Sequence, residues 1–119
     1  MYICIINKDE IMKKKSIGEL EELILLAVGA IQSSVYAQSI QDEMLSHAKR
    51  KIDITAIHAV LRRLEIKGLI DSELGGISKD RGGRSKRLVK LTVEGRTLLD
   101  QTILIRMEFY KRLLKNSQL

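Results

Sequence analysis

DITAIHAVLRRLEIKGLIDSELGGISKDRGGRSKRLVKLT, residues Asp53 to Thr92, divides into a short helix, a strand, a glycine-rich basic turn and a second strand. Asp53 is a favourable N-cap for a helix reaching about Lys67. Within it Ile57, Val60, Leu61 and Leu64 recur at the i, i+3, i+4, i+7 spacing of a buried helical stripe. Thr55, His58, Ala59 and Arg62 repeat that spacing on the opposite face, which is polar, small and basic. Gly68 ends the helix as a C′ glycine. Leu69 to Leu74 and Arg87 to Thr92 then read as strands, joined through Gly75, Gly76, Gly82 and Gly83. Leu88 and Val89 are adjacent and both apolar, so alternation leaves the inward face of the second strand open.

Charge is concentrated in this hairpin. Between Ser78 and Lys90 stand Lys79, Arg81, Arg84, Lys86, Arg87 and Lys90 against one acid, Asp80, which is +5 of the chain's net +6. The rest of the chain is nearly neutral. A helix ending beside a strongly basic hairpin is the layout of a winged helix-turn-helix, and the partner it implies is duplex DNA. A major groove accepts a small polar face such as Thr55/His58/Arg62. The arginine forks of the turn match phosphate or guanine acceptors.

Working outward, 119 residues, 45% of them hydrophobic, suffice for one core without staples. A single cysteine, Cys4, excludes an internal disulfide and fits a reducing cytoplasm. The opening MYICII is apolar but lacks the basic lead and cleavage site of a signal peptide. Met12 is a second candidate start. No apolar run spans a bilayer, so no membrane partner is expected.

Ser16-Ile17-Gly18-Glu19 matches a capping box ahead of a first helix with Leu20, Leu23, Ile24, Ala27, Val28 and Ile31 at helical spacing. A second helix is expected after Ser34, running to about Ala48, with Tyr36, Ile40, Met44 and Ala48 on one face and Tyr36 in the core. Lys49-Arg50-Lys51 reads as a solvated helix end that favours the dipole, with phosphate contact as the alternative. Arg63 is expected to pair with Asp71 or Glu73. Thr92 caps a last helix to about Lys115. Its apolar residues, among them Leu98, Leu99, Ile105, Phe109, Tyr110 and Leu113, cover more than one stripe, and a second copy is the simplest cover.

The sequence resembles the PadR family of bacterial transcriptional regulators. The resemblance rests on Gly18-Glu19-Leu20-Glu21-Glu22, Val35-Tyr36-Ala37, the run Leu61 to Ile70, the turn Arg81 to Arg87, and Leu91-Thr92-Val93-Glu94-Gly95. It covers about residues 16 to 100, and the R-G-G-R-x-K-R turn followed by L-T-x-x-G is its most specific part. It implies a mainly α fold with a small β-hairpin (α+β), a winged helix-turn-helix with a long C-terminal dimerisation helix. The expected divisions are an N-terminal extension (1–15), a DNA-binding domain (16–92) and a dimerisation helix with tail (93–119). It further implies a cytoplasmic homodimer that represses transcription and answers to a small hydrophobic effector. The short tail resembles the compact members with one C-terminal helix. His58 departs from the tyrosine common at its position, and Ala37 from a glycine.

The residues expected on DNA are therefore Thr55, His58, Arg62, Lys79, Arg81, Arg84, Lys86 and Arg87; for His58, an exposed side chain without special role remains the alternative. Ile105, Phe109, Tyr110 and Leu113 are expected to line the dimer interface or an effector pocket. Two histidines with one distant cysteine make no metal site, and no P-loop, dinucleotide fingerprint or nucleophile elbow appears. No cofactor, metal or catalytic residue is expected. The rival reading is a winged helix serving protein assembly without DNA.

Overall fold

A computed structural model describes residues 16–77 and 85–117. The elements run α1 (Glu19–Ala30), α2 (Ala37–Ala48), α3 (Ile54–Ile66), β1 (Ile70–Ile77), β2 (Ser85–Leu91) and α4 (Val93–Asn116). This is the expected α+β winged-helix order, and its core is built by the stripes read above. Ile24, Leu25 and Val28 of α1, Ile40 and Met44 of α2, and Ile57, Val60, Leu61 and Leu64 of α3 meet Leu69, Ile70, Val89, Leu98 and Leu99 in one buried cluster. Leu45, beside the stripe of α2, is exposed.

Local starts differ from expectation in two places. Helix α1 is capped by Gly18, not Ser16. The Gly18 N–H donates to Glu21 Oε1 at 3.0 Å, so the reach-back half of a capping box forms two residues later than the Ser16 pattern suggested. Helix α2 begins at Ala37, with Tyr36 as its extended N-cap. The Tyr36 N–H donates to Ser39 Oγ at 2.9 Å. Tyr36 is thus half-buried at a helix mouth instead of in the core stripe.

The turn between α2 and α3 hinges on Lys49, the one non-glycine residue at positive φ (58°) among the described residues. There it closes α2 with the Arg50 N–H donating to Met44 O at 3.0 Å. Gln41 Nε2 donates to Ile52 O at 2.8 Å and pins the entry to α3. Arg50 Nη1 lies 2.6 Å from Glu19 Oε2, so one member of the basic triplet already has an acid partner.

Helix α3 ends as its sequence demands. Gly68 takes φ 77°, and the Leu69 N–H donates to Leu64 O at 3.0 Å, a reversal that an L side chain resists. Gly68→Ala is expected to lose about 1–2 kcal/mol of unfolding free energy, read as a lower urea midpoint at unchanged m-value. A neutral result would mean that the helix ends elsewhere.

The hairpin is antiparallel and longer than expected, with Ile70 opposite Leu91, Ser72 opposite Val89, Leu74 opposite Arg87 and an irregularity between Leu74 and Ile77. Pairing resumes at Ile77 opposite Ser85, and at Gly75, within the irregularity, a side chain would collide with Leu88. The open question of the inward face is settled by Val89, which is buried and whose N–H donates to Val35 O at 2.9 Å.

Thr92 caps α4 as expected, accepting from the Gly95 N–H at 3.0 Å. Its hydroxyl donates to Gly68 O at 2.7 Å. The cap therefore ties the start of α4 to the end of α3. Only the first turns of α4 enter the core, through Leu98 and Leu99. Further along, Arg106 grips Glu22 of α1 with two N–H groups at 2.8 and 3.1 Å. Ile105, Phe109, Tyr110 and Leu113 are exposed on this single chain.

Candidate nucleic-acid interface

The outward face of α3 forms because its apolar residues are committed to the core at 3.6-residue spacing, leaving Thr55, His58, Ala59 and Arg62 exposed. The hairpin folds back beside it. A cleft of about 380 Å³ between α3, the start of α2 and the hairpin is lined by Ala37, His58, Leu61, Arg62, Glu65, Ser72, Arg87 and Val89. His58, Arg62 and Arg87, expected as site residues from the sequence, thus share one concavity. Thr55 lies on the same helical face, one turn before His58.

Neighbouring hairpin residues take different surroundings. Lys86 Nζ sits 4.3 Å from the centre of the Tyr36 ring, a cation–π contact. Arg87 Nη1 donates to Ser72 Oγ at 2.8 Å, and Ser72 Oγ donates to Glu65 Oε2 at 2.9 Å. Both cationic side chains remain exposed. Lys79, Arg81 and Arg84 lie outside the described residues.

Arg63 does not reach Asp71 or Glu73. Its Nε donates to Glu21 Oε2 at 2.8 Å, while Lys67 Nζ donates to Glu21 Oε1 at 3.0 Å. The correction is one of reach: Arg63 stands on the side of α3 that turns to α1, away from the strand acids. Burial pushes the Glu21 carboxyl up, but the hydrogen bonds of Arg63, the Gly18 N–H and Lys67, with the Lys67 charge, outweigh it and hold the group below its ordinary value.

Sequence reading missed Glu65 and Ser72. Glu65 follows Arg62 by three and His58 by seven, so helical spacing already placed it on the outward face. Ser72 alternates with Ile70 and Leu74 on one face of β1, which is buried at Ile70 and exposed by Leu74, and the alternation stood in the sequence. Among the described residues no group of three or more His, Cys, Asp or Glu side chains gathers to hold a metal. No helix among them is long and apolar enough to cross a membrane.

No protein-family model matches the sequence, and no curated protein matches it. Solved structures do match the fold. A PadR-like transcription factor from Bacteroides fragilis superposes with TM-score 0.67 at 22% identity, covering 94% of this chain and all of that one. This chain has the PadR winged-helix fold. A PadR-like transcriptional regulator from Bacillus cereus shares it at TM-score 0.62 and 22% identity, over 91% of this chain and 99% of that one. Bacillus subtilis PadR, solved in complex with operator DNA, matches at TM-score 0.60 and 16% identity, over 71% of this chain and 47% of that longer one. The PadR fold thus accounts for the placement of α3, the hairpin and α4.

Proposed function

We propose that this PadR-fold protein is a transcriptional regulator, a repressor, that binds duplex operator DNA as a homodimer. The observation that carries the reading is the shared cleft: the outward side chains of α3 and the basic root of the hairpin face one concavity, as a groove-reading helix and a backbone-gripping wing must. A protein of the same fold binds operator DNA. In this reading Thr55, His58 and Arg62 approach base edges in the major groove. Lys86 and Arg87, with Lys79, Arg81 and Arg84 of the turn, hold phosphates or enter the minor groove. The fold carries no enzymatic role in this assignment.

The homodimer is supported by α4, whose outer turns expose Leu104, Ile105, Met107, Phe109, Tyr110 and Leu113 in a continuous stretch. A second copy packed there buries that surface and gives a two-fold operator with half-sites about one helical turn, or a multiple, apart. A small hydrophobic effector, where one acts, binds between the two copies of this face. By changing the crossing of the α4 helices it changes the spacing of the two reading heads.

The deciding experiment is fluorescence anisotropy with duplex DNA from the gene's own upstream region at several salt concentrations. With two or three phosphate contacts per wing, log K against log[salt] should fall with a slope of roughly −4 to −5. The Arg84→Ala/Arg87→Ala variant should lose most of both affinity and slope. A folded dimer that binds neither this DNA nor a random duplex pool would support the assembly-module reading instead.

A further inference from the structure

The cleft between α3 and the hairpin contains a hydrogen-bonded chain with a fixed direction. A carboxylate only accepts and a guanidinium only donates, so a hydroxyl between them has one arrangement. Ser72 Oγ gives its proton to Glu65 Oε2 at 2.9 Å and offers its lone pairs to Arg87 Nη1 at 2.8 Å. The chain joins the three elements that frame the cleft: Glu65 on α3, Ser72 on β1 and Arg87 on β2. Arg87 gives one of its five N–H groups to Ser72, and because the fork is planar this contact narrows the directions open to the other four.

Glu65 raises a difficulty for any phosphate-binding surface. It stands exposed on the same helical face as His58 and Arg62, where a bare carboxylate repels DNA. The repulsion is offset if its charge holds Ser72 and, through it, Arg87. We propose that Glu65 and Ser72 are positioning residues that aim the Arg87 guanidinium at a DNA backbone phosphate beside the groove-reading helix. The proposal rests on the DNA-binding reading above and deepens it. It separates the basic residues into two kinds: Arg87 is held in place before DNA arrives, and that preorganisation lowers the ordering cost of binding.

The sign of one substitution tests this. Glu65→Ala removes a negative charge, so electrostatics alone makes DNA binding tighter. The positioning role makes it weaker, by roughly ten-fold, as expected for loss of a hydrogen bond to a charged group. Affinities are measured by anisotropy for wild type, Glu65→Ala, Ser72→Ala, Ser72→Thr and Arg87→Ala, and for Glu65→Ala and Ser72→Ala combined with Arg87→Ala, at a temperature where circular dichroism shows each folded. The expected result is weaker binding for Glu65→Ala and Ser72→Ala, and rescue to within about two-fold by Ser72→Thr, which keeps the hydroxyl. In the Arg87→Ala background, Ser72→Ala should have no further effect and Glu65→Ala should tighten binding, because coupled residues do not add. Glu65→Ala binding more tightly than wild type, or effects of equal size with and without Arg87, would overturn the proposal while leaving the DNA-binding reading intact. Wild-type binding insensitive to Arg87→Ala would do the same. Failure of the wild type to bind any duplex would overturn both.

Discussion

Gly95→Ala lowers the unfolding free energy by about 3 kcal/mol, although helix propensity argues for the opposite sign. Gly95 is the third residue of α4, and alanine there is intrinsically the better helix former by about 1 kcal/mol. Packing decides against it. A Cβ on Gly95 would fall onto the carbonyl oxygen of Leu69, with the Leu69 carbonyl carbon at 3.0 Å. That oxygen already accepts from the Thr92 N–H at 3.1 Å, and Leu69 is fully buried, so no flexible side chain can give way. The chain must move α4 off the end of α3, which strains the core and weakens the Thr92 bridge to Gly68. Thermal unfolding should shift down by roughly 10 °C or more. Gly18→Ala is the control, because a Cβ there meets nothing within 4 Å and the loss should stay below about 1 kcal/mol. A Gly95→Ala protein as stable as the wild type would mean that α4 is not seated on Leu69. The L-T-x-x-G pattern thus acquires a physical meaning: threonine bridges two elements and glycine lets their backbones touch.

Periodicity served best where one helix face meets one core. The stripe Ile57, Val60, Leu61 and Leu64 and the complementary face Thr55, His58, Ala59 and Arg62 needed no knowledge of partners, because α3 packs on one side only. Gly68 and Thr92 were equally legible, since helix ends impose local backbone demands that few residue types meet. Less legible were positions fixed by distant partners. Strand β1 extends past Leu74 because β2 supplies its hydrogen bonds, and Leu88 occupies the space that Gly75 leaves. Tyr36 carried the spacing of a core residue, yet the chain needs it as the extended cap of α2, where its ring receives Lys86. Arg63 was matched to strand acids nearby in sequence, but its partner lies 42 positions earlier. The basic turn was read from composition. What composition could not give is that Arg87 is held by Ser72 and Glu65, since that link needs the register placing Ser72 two pairs from Arg87, on the same face of the hairpin.

Glu21 makes the second large prediction, since among the described residues it is the buried charged one, and it fastens α3 to α1. Its side chain is 9% exposed and takes hydrogen bonds from Arg63, Lys67 and the Gly18 N–H. Glu21→Ala strands three donors, but Arg63, whose side chain is 53% exposed, turns to water, so the loss is about 2–3 kcal/mol, not the larger value of a fully enclosed pair. The pH dependence identifies the cause. The folded carboxyl lies below its ordinary value of 4.5, so the unfolded chain takes up the proton first as pH falls. Its contribution is therefore fully present above about pH 4.5 and is lost as pH drops through the lower folded value. Denaturant titrations of wild type and Glu21→Gln should differ by a constant amount from pH 7 to pH 5.5 and converge below pH 4.5, because the amide does not titrate there. A difference that stays constant to pH 3 would assign the effect to packing and not to the ion cluster. Arg63 sits in the last turn of α3 and Lys67 is its C-cap, so the same substitution loosens the helix whose outer face carries Arg62 and Glu65. At neutral pH, DNA affinity should fall together with stability, while the salt slope of a surface whose own cations are intact stays unchanged.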